Sequence, residues 1–272
     1  MAKTVLITGC SSGIGKATAM YFHSKGWNVA ATMRKPESET ELKEDSRMKL
    51  VALDVQSTSS IHDAIETVLN TFGNIDVFVN NAGYGAVGVL EAGTDEQIRK
   101  QFDVNYFGVI DCIKGILPHF RKKRAGIIIN VSSIGGLMVI PLYSVYNSSK
   151  FALEGLSEGL TFELKEFGIQ VKLVEPGAIK TEFLGRSSEV WSTDAVPEYK
   201  SFTDKVMNFY KTAMTNNFSS PELVAGVIYK AATDGKDQLR YLAGKDAEQF
   251  WFMRRWFGYK VQMSGLRSYF KL

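Results

Sequence analysis

Val5-Leu6-Ile7-Thr8-Gly9-Cys10-Ser11-Ser12-Gly13-Ile14-Gly15 stands almost at the start of the chain, and its reading decides the fold. Residues 5–8 are apolar, β-branched and halted by Gly9, which predicts a buried strand. Residues 13–25 have helical spacing and are closed by Gly26. Between strand and helix, Gly9 permits a tight turn. Gly13 lets a phosphate approach the main chain, and Gly15 lets the helix pack closely on the sheet. The helix N-terminus offers free N–H groups and the positive end of a dipole, with Ser11, Ser12 and Ile14 completing the cradle. A merely flexible turn would also use glycines, so the trio gains its weight from its place between a strand and a helix.

The same alternation continues outward. Residues 28–33, 50–55, 75–79, 126–131, 169–174 and 239–242 are predicted strands, and 61–72, 95–123, 144–167 and 198–214 are predicted helices. Ser220-Pro221 opens one more helix, because proline suits a first turn. This pattern predicts an α/β fold of the Rossmann type: a doubly wound parallel sheet of about seven strands, flanked by helices on both faces. Residues 1–272 are expected to form a single domain. Residues 1–181 would be the cofactor-binding and catalytic core, 182–217 a substrate lid, and 218–272 a C-terminal part with a helical tail.

Composition excludes other classes. The net charge of +3, from 32 basic and 29 acidic residues, is too balanced to point to nucleic acid or an anionic membrane. No run reaches the roughly 18 apolar residues that span a bilayer. Cys10 and Cys112 form no Cys-x-x-Cys pair or disulfide framework, so a cytoplasmic location is expected. His23, His62 and His119 lie in helical stretches without ligand spacing, and no metal site is read. The tail carries Phe250, Trp251, Phe252, Arg254, Arg255, Trp256 and Phe257. Packing on the lid or on a neighbouring subunit is the plainer reading of it, and contact with a membrane surface the alternative.

Further motifs follow the strand ends. Asp54-Val55 closes the third strand, Asn80-Asn81-Ala82-Gly83 the fourth, and Ser132-Ser133 the fifth. Asn105 lies in the 95–123 helix, Tyr146 and Lys150 are four apart in the next, and Pro176-Gly177 leads through Ile179 to Thr181. Each motif alone has a bland reading: Asp54 as a helix cap, Asn105 as a helix-interior asparagine, Tyr146 in the core with Lys150 in solvent. Their order over residues 3–181 resembles the short-chain dehydrogenase/reductase family, as does the T-G-x-x-x-G-x-G form of the glycine turn. Residues 9–15 and 146–155 are most similar to mammalian 17β-hydroxysteroid dehydrogenases and bacterial carbonyl reductases.

The resemblance implies Tyr146 as general acid or base and Ser133 on the substrate oxygen. It implies Lys150 beside the phenol and on the nicotinamide ribose, and Asn105 orienting a water that leads from Lys150 to solvent. Ser132 competes with Ser133, which the thirteen-residue spacing to Tyr146 selects. A nearby ammonium is expected to lower the pKa of Tyr146. Asp54 and Val55 would sit by the adenine, Asn81, Ala82 and Gly83 by the adenosine ribose, and Pro176, Gly177, Ile179 and Thr181 by the nicotinamide.

The second strand ends Met33-Arg34-Lys35, with no acid where an NAD site holds the ribose hydroxyls. Arg34 can take a 2′-phosphate bidentately, helped by Ser11, so NADP(H) is the expected cofactor; otherwise Arg34 and Lys35 are solvated loop charges. Leu137, Met138, Val139, Ile140, Leu142, Phe183, Leu184 and Phe202 suggest an apolar pocket. The expected activity is reversible reduction of a hydrophobic ketone or aldehyde. A hydroxysteroid or lipid dehydrogenase is the alternative within that chemistry, and a non-catalytic NADP-binding sensor the alternative outside it. Phe102, Phe107, Leu156 and Phe162 suggest a homo-oligomer, dimer or tetramer, formed through the two long helices.

Overall fold

The structure, a computed structural model, describes residues 2–180, 188–213 and 218–270. Seven strands form one parallel sheet: β1 (Thr4–Ile7), β2 (Asn28–Met33), β3 (Met48–Ala52), β4 (Val77–Asn80), β6 (Gly126–Val131), β7 (Ile169–Pro176) and β9 (Arg240–Ala243). Their order is β3-β2-β1-β4-β6-β7-β9. The chain therefore leaves β1 in one direction and returns from β4 in the other, and this switch point is where such sheets bind ligands. Two short strands, β5 (Gly85–Val87) and β8 (Ser188–Val190), pair in parallel outside the main sheet.

The strands are buried on both faces, so they read as nearly continuous apolar runs. Val5, Ile7, Val29, Ala31, Val77 and Val79 face one core with Phe22 of α1 (Gly13–Ser24) and Ile228 of α7 (Pro221–Thr233). Leu6, Ala30, Phe78 and Ile128 face the other. There they meet Ile61 of α2 (Thr58–Phe72), Ile116 of α4 (Gly108–Lys123) and Leu153 of α5 (Ser144–Leu164). Ser220 accepts a hydrogen bond from Leu223 N and caps α7, with Pro221 in its first turn as the sequence predicts.

The predicted 95–123 helix is not continuous. α3 (Asp95–Phe102), capped reciprocally by Thr94 and Gln97, passes through a wider π-helical turn, Asp103–Phe107, before α4. The extra residue in that turn re-aims Asn105 into the interior. Beyond the sheet come α6 (Lys200–Ala213) and the long α8 (Lys245–Tyr269), broken at Gly258, whose φ of 73° no helix accommodates. No helix among the described residues is long and apolar enough to cross a membrane.

At the far end of α4, Phe120 is fully buried and its ring lies over Gly126, where a Cβ would come within 2.4 Å of it. Phe120→Ala is expected to cost about 3–5 kcal/mol, the usual range for emptying a buried aromatic site. Chemical denaturation followed by circular dichroism would measure it, and a cost below about 1 kcal/mol would mean that the helix end closes over the gap.

Candidate active site

The loops that leave β1 and β4 meet at the switch point. Gly9 has φ 73°, and a Cβ on it would stand 2.8 Å from the Cα of Ala82. A Cβ on Gly15 would stand 2.2 Å from the Gly9 carbonyl oxygen and 2.5 Å from the Asn81 amide nitrogen. One hydroxyl locks the two loops: Thr8 Oγ1 accepts from the N–H groups of Asn81 and Ala82, both at 3.0 Å. Asn81 answers by donating its side-chain amide to the carbonyls of Thr8, at 2.9 Å, and Gly9, at 3.1 Å.

The N-terminus of α1 opens into this corner. Ser12 at its cap makes no side-chain bond to the helix, and Gly13 beside it has φ 55°. The first-turn N–H groups are thus left to a ligand, and the absence of side chains at Gly9 and Gly13 leaves room for an anion at the main chain. A dinucleotide pyrophosphate fits this cradle. Arg34 is exposed at the end of β2. Of the acids that follow, Glu37 is exposed on the Pro36–Ser38 turn, and Glu39 is engaged: it takes Lys16 Nζ at 3.1 Å and the N–H groups of Glu41 and Leu42. Asp54 accepts from Gln56 N at 3.0 Å and closes a turn before α2, while Val55 packs against Gly108.

Asn105 is buried, and its amide is filled by protein. It pairs with the main chain of Tyr84 in both directions, at 3.1 and 2.9 Å, and donates to Ser149 Oγ at 3.3 Å. Ser149 in turn donates to the Tyr146 carbonyl at 2.7 Å. The loop after Gly83 is thereby tied to the turn of α5 that carries Tyr146.

Tyr146 and Lys150 lie one turn apart on α5, both buried, with Lys150 Nζ 5.9 Å from the centre of the Tyr146 ring. Lys150 donates to the carbonyl of Val131, at the end of β6, at 3.0 Å. Ser133, two residues on, hydrogen-bonds the Tyr146 phenol and accepts from Gly135 N at 3.0 Å. Burial pushes the phenol up to about 12, against the Ser133 bond, which pulls it down. The expected lowering by the ammonium is not what the site shows: burial dominates the phenol, and the group that pulls it down is Ser133. Burial likewise pushes Lys150 down to about 8, with Glu154 holding it up. Ser132 points away from the phenol, toward Glu154.

β7 ends at Pro176, and Gly177 after it leaves room for the Asp246 carboxylate, which a Cβ there would meet at 2.2 Å. Ile179 bridges to Ser219 beside them. Thr181, Phe183 and Leu184 lie outside the described residues. Of the apolar candidates, Leu137, Met138 and Leu142 are buried around Tyr146, with Ile140 packed on them, whereas Val139 turns outward. Phe202 lines an open cavity of about 580 Å³ with Val89, Leu90, Leu142 and Tyr199.

Several residues escaped the sequence reading. Tyr143 and Tyr210 continue an aromatic row from Tyr146, with ring centres 5.8 and 5.9 Å apart along it. Trp191 fills the space over Gly88 and Gly93 and thereby pins β8 beside β5. Gly135 allows the Tyr146 ring to approach, where a Cβ would stand 3.2 Å from the ring edge. The glycine spacing 88–93 was the one available signal for this packing.

Residues 3–190 match the family described as short chain dehydrogenase. The chain belongs to the short-chain dehydrogenase family. It is an oxidoreductase by that membership. It is 37% identical to bovine retinol dehydrogenase 8 over 252 residues, 88% of this chain and 80% of the relative. It is 36% identical to human 17-beta-hydroxysteroid dehydrogenase type 1 over 257 residues, 89% and 77% of the two chains. A short-chain dehydrogenase from Streptomyces avermitilis superposes with a TM-score of 0.84 at 32% identity, covering 99% of this chain and 96% of that one. The chain is also similar to ElxO, solved with NADP bound (29% identity, TM-score 0.71), and to a 3-ketoacyl-(acyl-carrier-protein) reductase from Brucella melitensis, solved with NADH (25% identity, TM-score 0.73).

The Thr8 hydroxyl can be tested apart from any activity. Thr8→Val keeps the shape and leaves the Asn81 and Ala82 N–H groups without an acceptor. A cost of about 1–3 kcal/mol per orphaned donor is expected, read as a lowered midpoint in thermal unfolding. An unchanged midpoint would mean that water replaces the hydroxyl.

Proposed function

We propose that this short-chain dehydrogenase is NADP(H)-dependent and reduces a hydrophobic ketone or aldehyde to its alcohol. The observation that carries this reading is the buried Tyr146–Lys150 pair with the Ser133 hydroxyl bonded to the phenol. When bound, the reduced nicotinamide supplies the hydride to the carbonyl carbon. Tyr146 donates its proton to the carbonyl oxygen, and Ser133 donates a hydrogen bond to the same oxygen as charge grows there. Lys150 holds the ribose and keeps a positive charge behind the phenol. The side chain of Asn105 is filled by Tyr84 and Ser149. Its part in proton supply therefore falls to main-chain groups of the π-helical turn.

The cradle at Gly9, Ser11, Ser12, Gly13, Ile14 and Gly15 takes the pyrophosphate. Asp54 and Val55 flank the adenine, Asn81, Ala82 and Gly83 the ribose, and Pro176, Gly177, Ile179 and Thr181 the nicotinamide. The apolar surroundings of Tyr146 and the names of the retinol and steroid relatives support a bulky apolar substrate. Free buried thiols at Cys10 and Cys112 suit a cytoplasmic setting.

An assay of NADPH oxidation over a panel of ketones and aldehydes tests the reading, and no turnover with any of them would end it. Tyr146→Phe should keep the fold and lower kcat by about 10²–10⁴-fold, the usual worth of a general acid. Wild-type turnover in that variant would mean another acid.

NADP rather than NAD rests on the exposed Arg34 and on the engagement of Glu39 by Lys16. Arg34→Ala/Lys35→Ala should raise KM for NADPH about tenfold or more, since hydrogen bonds to charged groups are worth about 1.5–3 kcal/mol. KM for NADH should hardly move. Equal effects on both cofactors would place the phosphate elsewhere.

Phe107, at the end of the π-helical turn, and Phe162, on α5, are exposed, Phe162 to 82%. Their burial in a dimer or tetramer is expected. Sedimentation at micromolar concentration should show that assembly, and a monomer would refute it.

A further inference from the structure

Behind the Tyr146–Lys150 pair lies a cluster of charged groups that the reaction as described does not use. Glu154 is one turn beyond Lys150 on α5 and is 5% exposed. Glu175, on β7, is fully buried. Arg240, the first residue of β9, holds both carboxylates with one nitrogen and reaches the exposed Glu158 with the other. The ring of Trp251, from α8, covers the guanidinium at 5.5 Å. Ser132 faces Glu154, its hydroxyl and the carboxylate Oε1 lying side by side without a hydrogen bond of normal geometry. The two groups also border Gly136, where a Cβ would meet Ser132 Oγ at 2.8 Å and Glu154 Oε1 at 3.1 Å.

Four ionisable groups therefore share one largely dry space, with the exposed Glu158 at its rim. Lys150 and Arg240 bring two positive charges, and Glu154 and Glu158 balance them. Glu175 remains, and it meets no water. Burial, and after it the Glu154 charge, pushes Glu175 up to about 8, so it holds its proton at neutrality. Burial raises Glu154 as well, but the Arg240 guanidinium pulls it back and keeps it the carboxylate of the pair, so among the described residues it is the anion that holds the Lys150 ammonium up against burial. A buried ammonium with a single carbonyl partner is costly, and without an anion it sheds its proton.

We propose that Glu154 is the positioning residue of Lys150: held by Arg240 beside Glu175 and one turn along α5, its buried carboxylate is the counter-charge of the ammonium that bonds the Val131 end of β6. The consequence for turnover rests on the reductase reading above; the effect on Lys150 does not. The groups facing Lys150 are Tyr146 and Glu154 on α5 and the Val131 carbonyl on β6. Glu158, Glu175 and Arg240 stand behind Glu154.

The sign follows directly. A negative charge beside an ammonium favours its protonated form, so removing it must lower the pH at which Lys150 becomes neutral. Protein labelled with ¹³C at lysine Cε reports this titration by NMR without cofactor or substrate, with Lys150→Met assigning the resonance. In the wild type the Lys150 signal should titrate near 8. In Glu154→Gln it should titrate lower by about one pH unit or more, the scale of a neighbouring opposite charge. Glu175→Gln, which mimics the protonated acid, should move it the same way by less, because the charge gained on ionisation is lost. The alkaline limb of kcat/KM for NADPH-dependent reduction should follow the NMR midpoint.

A Lys150 midpoint that stays put or rises in folded Glu154→Gln overturns the proposal. Should that variant not fold, Glu154→Asp, which draws the carboxylate back by one methylene, takes its place: its Lys150 midpoint should fall, and an unmoved one overturns the proposal. If the NMR midpoints shift as expected and no carbonyl is reduced, the reductase reading falls and the role of Glu154 stands.

Discussion

The loops after β1 and β4 touch main chain to main chain, and the rest of the site depends on that contact. Ala82 occupies the space a side chain on Gly9 would need, and the Gly9 carbonyl occupies the space a side chain on Gly15 would need. Only with both positions bare can Thr8 Oγ1 take two N–H groups of the neighbouring loop. The start of α1 then lies against that loop, with its free N–H groups turned outward. From Asn81 the same loop continues to Tyr84, which Asn105 grips, and Asn105 reaches Ser149 beneath Tyr146. A run of hydrogen bonds, joined by the covalent chain from Asn81 to Tyr84, thus leads from the glycine turn to the main chain of Tyr146. Such a frame lets side chains from four separate elements keep a common geometry, because no member can shift alone.

The second half of the chain contributes mainly through charge. Two carboxylates on α5 and β7 lie beneath the surface, and breaking a buried ion pair by removing one partner typically costs about 3–5 kcal/mol. Arg240 arrives from the last strand of the sheet to hold them, and Trp251 of α8 shields it. On the other side of α8, Asp246 takes the Ala178 N–H and occupies space that a Cβ at position 177 would meet. The C-terminal segment is therefore a structural part of the site, although no motif in it announces one. The aromatic reading of the tail captured Trp251 as a packing residue and missed its use as a cover for Arg240.

Strands β2 and β6 follow the sequence reading to the residue, because both are apolar runs bounded by turns and buried on both faces. β3 begins two residues earlier than its apolar pattern, since Met48 is recruited by pairing with Val29. The break in the 95–123 helix could not be read, because a π-helical turn changes hydrogen-bond register without a proline or glycine to mark it. β5 and β8 were invisible for a different reason. Three-residue strands carry no periodicity, and their pairing depends on Trp191 meeting two glycines about a hundred residues earlier. Local pattern therefore located Gly9, Tyr146 and Lys150. Glu154, Glu175 and Arg240 come together only through the sheet order, so no spacing along the chain could have grouped them.

Burial also bears on the direction of the proposed chemistry. A phenol exposed to water beside an ammonium would titrate lower and could serve as acid or base with comparable ease. In this chain the phenol of Tyr146 is enclosed by Tyr143, Leu142 and Ile134, and desolvation prevails over the Ser133 hydrogen bond that pulls it down. It therefore rests protonated at neutral pH, ready to give a proton to an oxygen whose basicity climbs as the carbonyl becomes an alkoxide. Working in reverse, the same group must first be deprotonated in a dry setting that resists a phenolate. That step needs positive charge close by, and Lys150 is the cation this chain places there. The ammonium is itself strained by burial, so its charge depends on the anion one turn further along α5. The resting arrangement favours the acid role, and oxidation leans on Lys150 more heavily than reduction does.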